Sequence, residues 1–160
     1  MKGRRFQMHE KLASIGDDSW IEDDNGERIY KVDGKAMRIR DTFVLEDLDG
    51  REVAKIQERK LRVRDTMKIE REGETIASIH KKLIGFRDRF HIELEDGREL
   101  KAHGNIVDHE YEIERGRHTV AKVSKKWFRL RDTYGIEVAD GEDEALILAI
   151  TVAIDEMSHD

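Results

Sequence analysis

The chain has no cysteine and no proline among its 160 residues. Without cysteine there are no disulfides, no thiolate nucleophile and no cysteine-ligated zinc, and the redox state of the compartment leaves no mark. Average usage would give about eight prolines; a chain built mostly of paired strands has few positions that tolerate a residue without an N–H. Asn and Gln are also scarce, with only Gln7, Asn25, Gln57 and Asn105. Such a balance fits a thermophile protein, a high-GC genome or a designed sequence. A phosphate-binding glycine loop, a G-x-S-x-G nucleophile elbow and a long apolar run behind the basic N-terminus are all missing, so no NTPase, serine hydrolase or secretory signal is indicated. A cytoplasmic protein is expected.

Charge is plentiful instead. Lys and Arg number 30 against 36 Asp and Glu, 41% of the chain, for a net charge of −6. The signs are mixed along the whole length, which disfavours a polybasic nucleic-acid binder. A length of 160 residues fits one domain spanning 1–160 with one substantial core.

Beneath the charge the sequence repeats. Near copies occur at 39–43 (IRDTF), 63–67 (VRDTM), 86–90 (FRDRF) and 130–134 (LRDTY), and the aspartates Asp41, Asp65, Asp88 and Asp132 are 24, 23 and 44 residues apart. The last gap is about two periods; VDHEY at 107–111, with His109 in the aspartate's place, fills it, and GDDSW at 16–20 is a weaker first copy. Each of the six repeats of about 23 residues holds an alternating apolar run, a polar-glycine turn and a second alternating run. The turns are Asn25-Gly26, Asp49-Gly50, Glu72-Gly73, Asp96-Gly97, Arg115-Gly116 and Asp140-Gly141. Six hairpins give about twelve strands, from about residue 5 to 139, each with one dry and one wet face. Twelve antiparallel strands with short connections close into a barrel. Its lumen is too wide for strand side chains to fill.

The tail supplies a filler. From Glu142 to Met157 the alternation gives way to a segment that is apolar all round, with Glu142, Asp143 and Glu144 where a helix dipole favours acids. Its ten-residue core, Ala145–Ile154, rises only ~15 Å as a helix against a hydrocarbon thickness of ~30 Å, and both flanks are acidic. A buried central helix is therefore expected over 142–157, and no transmembrane segment. The fold class is mainly β: a twelve-stranded closed antiparallel barrel enclosing a hydrophobic C-terminal helix.

The segments KLASIGDDSWIEDDNG, YKVDGKAMRIRDTFVLED, DHEYEIERG, VSKKWF and the closing helix resemble the LURP-one-related family of the tubby C-terminal-like superfamily, across essentially the whole chain. The resemblance implies the barrel-plus-helix fold, no catalytic motif and a poorly defined activity. Wider relatives include tubby proteins, which bind phosphoinositides, and phospholipid scramblases.

Candidate functional residues follow from the up-and-down topology, which puts the glycine turns at one end and the Arg-Asp segments at the other. Arg40-Asp41, Arg64-Asp65, Arg87-Asp88 and Arg131-Asp132 are read as structural corners, each aspartate accepting backbone N–H groups beside a paired arginine. The same end gathers a basic rim. Lys60, Arg62, Lys81, Lys82, Arg87, Lys125, Lys126 and Arg129 are the candidates for binding an anionic ligand. Trp127 and Phe128 stand beside that rim, with one of the two expected to face the core. No metal or cofactor is expected, since no two histidines show i, i+2 or i, i+4 spacing. The reading is a non-enzymatic binding module meeting anionic phospholipid headgroups through its rim, peripherally at a membrane. A structural or regulatory protein-interaction domain without lipid affinity remains open, and a nucleic-acid-binding regulator is disfavoured by the net acidity.

Overall fold

A computed structural model of the chain describes residues 2–10, 18–33, 42–61, 64–84, 87–128 and 131–158. It contains β1 (Gly3–His9), β2 (Asp18–Asp23), β3 (Arg28–Asp33), β4 (Thr42–Glu46), β5 (Glu52–Leu61), β6 (Arg64–Arg71), β7 (Glu74–Ile84), β8 (Arg87–Leu94), β9 (Glu99–Asn105), β10 (Glu110–Arg115), β11 (His118–Ser124), β12 (Thr133–Ala139) and α1 (Glu144–Ser158). The strands form one closed barrel in sequence order, with β1 paired to both β2 and β12. All twelve pairings are antiparallel, as the alternating repeats require.

The alternation has the expected cause. On β10, Tyr111 and Ile113 are buried while Glu110, Glu112 and Glu114 face outward; on β9, Leu100 and Ala102 are buried and Lys101 is exposed. The hairpin turns are organised by more than glycine. Asp47 Oδ1 accepts the Asp49 and Arg51 amides while Gly50, at φ 81°, donates its N–H to the Asp47 carbonyl. Asp23 does the same for Asn25, Glu27 and Gly26. Both of these turns are thus side-chain-stabilised loops in which glycine supplies the left-handed residue.

Helix α1 fills the lumen. Ile147, Leu148, Ile150, Val152 and Ile154 are at most 2% exposed, each contributing roughly 1.5–3 kcal/mol by burial. They pack among inward residues such as Phe43, Ile56, Met67, Phe90 and Ile136. The polar Thr151 is tolerated at the centre because its hydroxyl donates to the Ile147 carbonyl one turn back (2.9 Å). The helix begins two residues later than the sequence suggests, because Asp143 is its cap: Oδ1 accepts the Leu146 amide and the carbonyl accepts that of Ile147.

Its two ends are held differently. At the glycine-turn end three arginines from distant strands grip the acids around the helix start: Arg71 on Asp143, Arg115 on Glu142 and Arg4 on Glu144. Burial works against the Asp143 carboxylate, but the Arg71 hydrogen bond and the Leu146 amide hold its pKa below the ordinary value. At the opposite end Lys81 Nζ donates to the Met157 carbonyl (3.0 Å), placing a cation at the helix C-terminus where the dipole favours one.

Candidate anion-binding site

The site is built where two strands part. Along β7, strand β8 stays paired all the way from Leu94 to Arg87. Against β9 the ladder runs only from Glu93↔Glu99 to Phe90↔Ala102. Beyond that point β9 continues with β10 through the His103↔Glu112, Gly104↔Tyr111 and Asn105↔Glu110 pairs. Arg89 and His103 therefore diverge instead of pairing, and a cleft of about 380 Å³ opens between them. Its walls carry Lys82, Arg89, His91, Lys101 and His103, and its floor is Phe90 and Ala102.

The charges in this cleft come from the wet faces of three neighbouring strands. Lys82 lies across from Arg89, and His91 across from Lys101. Lys82 and Arg89, two cations in register, repel by a few tenths of a kcal/mol up to about 1 kcal/mol, a cost that an anion between them removes. Among the described residues Lys82, Arg89 and Lys101 make no ion pair, and all three are exposed. The histidines are differently placed: His91 Nε2 lies 3.7 and 3.6 Å from Glu93 and Glu99, and His103 Nε2 lies 3.1 Å from Glu114. The cleft can thus offer fixed cations above an apolar floor, the chemistry that receives a phosphate carried on a partly apolar molecule.

The rim residues expected from the sequence divide into several groups. Arg40, Asp41, Arg62 and Arg129 lie outside the described residues, as do the side chains of Lys60, Arg64, Asp65, Arg87 and Asp88. By backbone register Asp65 sits opposite Lys60, and Asp88 opposite Leu83, one residue inside the start of each strand. Arg131 and Asp132 are exposed in the turn before β12, where Asp132 takes φ 58° and its carbonyl accepts the Glu10 amide. Lys81 is engaged at the helix terminus. Lys125 is 2.6 Å from Glu10, and that hydrogen bond raises its pKa. Lys126 is exposed, with its amide on Ser124 Oγ, and Lys82 lines the cleft. Trp127 and Phe128 do not divide between core and surface: they follow the end of β11, so strand alternation does not govern them. Both are half-buried against Gly135, where a Cβ would meet their rings at 2.8 and 2.9 Å, and Arg5 covers the Trp127 ring at 4.5 Å.

Two features have no counterpart in sequence spacing. His109, 2% exposed and at φ 54°, donates from Nε2 to Asp155 Oδ1 on α1 (2.6 Å) and stacks on Tyr134 at 4.3 Å. Beside this pair the buried hydroxyls of Tyr111 and Tyr134 have no hydrogen-bond partner among the described residues. On the outer face, His91 with Glu93 and Glu99, and His103 with Glu112 and Glu114, each bring one imidazole and two carboxylates within 4.8 Å. These sets cross between strands, and for that reason single-chain spacing does not reveal them.

Among the described residues no helix is long and apolar enough to cross a membrane. The family model described as LURP-one-related matches residues 4–155. No curated protein matches the chain. Among solved structures, an X-ray structure of a protein from Arabidopsis thaliana is similar at a TM-score of 0.73, with 18% sequence identity, over 96% of this chain and 90% of that one. That likeness establishes the shared fold.

Proposed function

Given that this chain belongs to the LURP-one-related family, we propose that it is a non-enzymatic binding module whose β8–β9 cleft receives the phosphate of an anionic phospholipid headgroup. The observation that supports this most directly is the convergence of Lys82, Arg89 and Lys101 on a cleft with an apolar floor. The cations neutralise the phosphate, while Phe90 and Ala102, each 1% exposed, close the cleft from the side of the core. The cleft opens on the outer face where β8 leaves β9, beyond the Phe90↔Ala102 pair and away from the Asp96-Gly97 turn.

The experiment is flotation of the full chain with phosphatidylcholine vesicles, with and without an anionic lipid, at low salt. Each cation near a membrane surface contributes about 1 kcal/mol, so reversing Lys82, Arg89 and Lys101 to Glu weakens partitioning by at least roughly 100-fold. Reversing the exposed Lys126 serves as a control at the same end of the barrel, and it leaves most of the binding intact. Equal partitioning onto neutral and anionic vesicles, or full binding by the triple variant, overturns the reading. Competition by inorganic phosphate separates recognition of the phosphate alone from recognition of the lipid surface.

A further inference from the structure

We propose that the outer face of β9 and β10 carries a divalent transition-metal site made of His103, Glu112 and Glu114. The placement follows from strand geometry. Glu112 and Glu114 are two apart on β10 and share its wet face, and His103 on β9 stands directly across from Glu112. The three residues form a triangle on two hydrogen-bonded strands, all of them half-buried, so little freedom is lost in bringing their donors to one ion.

The distances suit a metal. One donor atom from each of the three lies within 4.8 Å of the others, and His103 Nε2 to Glu114 Oε2 is already 3.1 Å. With bonds of about 2.0–2.2 Å to nitrogen and oxygen, two ligands on one tetrahedral or octahedral ion stand roughly 3.0–3.5 Å apart. That edge of the polyhedron therefore exists before the metal arrives. One imidazole nitrogen with two carboxylates selects Zn²⁺, Co²⁺ or Ni²⁺ over Mg²⁺ and Ca²⁺, which favour all-oxygen shells. Remaining positions fall to water.

Two lysines set the competition. Lys122 Nζ is 3.8 Å from Glu112, and Lys101 lies across from Glu114. In the metal-free protein Lys122 pairs with Glu112 while Lys101 adds only a neighbouring positive charge; an ion must displace the Lys122 pairing. The neighbouring set of His91, Glu93 and Glu99 is a looser version, its histidine 3.7 and 3.6 Å from glutamates whose side chains are each 58% exposed, against 30% for Glu114. It provides an internal comparison.

The test is calorimetric titration of the full chain with Zn²⁺, repeated with Co²⁺ while following its visible absorption bands. The expected result is one site per chain. His103→Ala, Glu112→Gln and Glu114→Gln should each weaken it by at least ~10-fold, since even residues behind the ligands are worth that much. Lys122→Ala tightens it by removing the competing cation. His91→Ala leaves it unchanged. The proposal is overturned by no binding at ~1 mM metal, by His103→Ala binding as the unaltered chain does, or by loss of the site in His91→Ala. All five substitutions are on the barrel's outer face, and circular dichroism verifies that the fold persists in each.

Discussion

The chain has three tyrosines, and none of them is placed to ionise at an ordinary phenol pH. For Tyr30, burial is the first cause, followed by the charge of Glu144 and the hydrogen bond from the phenol to Glu144 Oε1 (3.1 Å); together they push its pKa up to about 12. Tyr111 and Tyr134 are raised well above 10, first by burial and then by the nearby Asp155 carboxylate. A phenolate in either position would lie beside that carboxylate with no donor for its hydroxyl oxygen among the described residues. The perturbation is simply a rise in pH. At pH 11 an unperturbed tyrosine is about 90% ionised, whereas one with a pKa near 12 is about 10% ionised. The native protein should therefore show well under a tenth of its full phenolate absorbance at pH 11, and the urea-unfolded chain about nine-tenths. Because the folded pKa values are raised, their stabilising contribution is complete below about pH 10 and is lost as the pH climbs through the folded values. Alkaline unfolding should then release the remaining phenolate signal cooperatively, in step with loss of β-sheet circular dichroism. Tyr30→Phe removes the early component near pH 12. If a third or more of the absorbance appears by pH 11 while the dichroism is still native, at least one tyrosine is solvated and the placement is wrong.

Two further perturbations test the interior. Leu148→Ala, at a fully buried position of α1, should cost about 2–5 kcal/mol, lowering Tm by roughly 6–15 °C in a domain of this size; removal of residues 142–160 should abolish soluble folding, and a folded, monomeric truncated chain contradicts the central role of the helix. His109→Leu withdraws the imidazole 2.6 Å from the buried Asp155 and should cost about 3–5 kcal/mol. The double variant His109→Leu with Asp155→Leu recovers much of that loss in urea unfolding, because no buried carboxylate remains. Strict additivity of the two single changes refutes the coupling.

The sequence displays most of this fold because the architecture is local. Each hairpin needs only its own alternation and its own turn, so residues such as Phe43 and Leu45, or Tyr111 and Ile113, announce the dry face within a few positions. The helix is equally legible, since an all-apolar segment too short for a bilayer has few places to go. Contacts made by closure are another matter. Arg4 reaches Glu144 across 140 residues, and His109 reaches Asp155 across 46. No local period encodes either. The cleft depends on the residue at which β8 leaves β9, a property of register around the whole barrel. One clue was present: Lys81 shares its phase with the buried Ala77 and Ile79, which points it toward the helix end, whereas Lys82 takes the opposite phase and reaches the cleft.

Filling the lumen with α1 has a consequence for recognition. Apolar side chains from the helix and from all the strands meet at the axis, so ligand contacts belong to the outer face and to places where the ladder is interrupted. The cleft is such a place, and it shares material with the core. Phe90, 1% exposed, is at once a wall of the interior and the floor beneath Lys82 and Arg89. Its truncation would shift strand packing and cleft shape together, and a loss of binding would not identify the cause. Arg89 is the cleaner probe, because it projects from the opposite face of β8 and leaves the packing beneath it untouched. A barrel held shut from inside can therefore change its exterior charges with little effect on its stability.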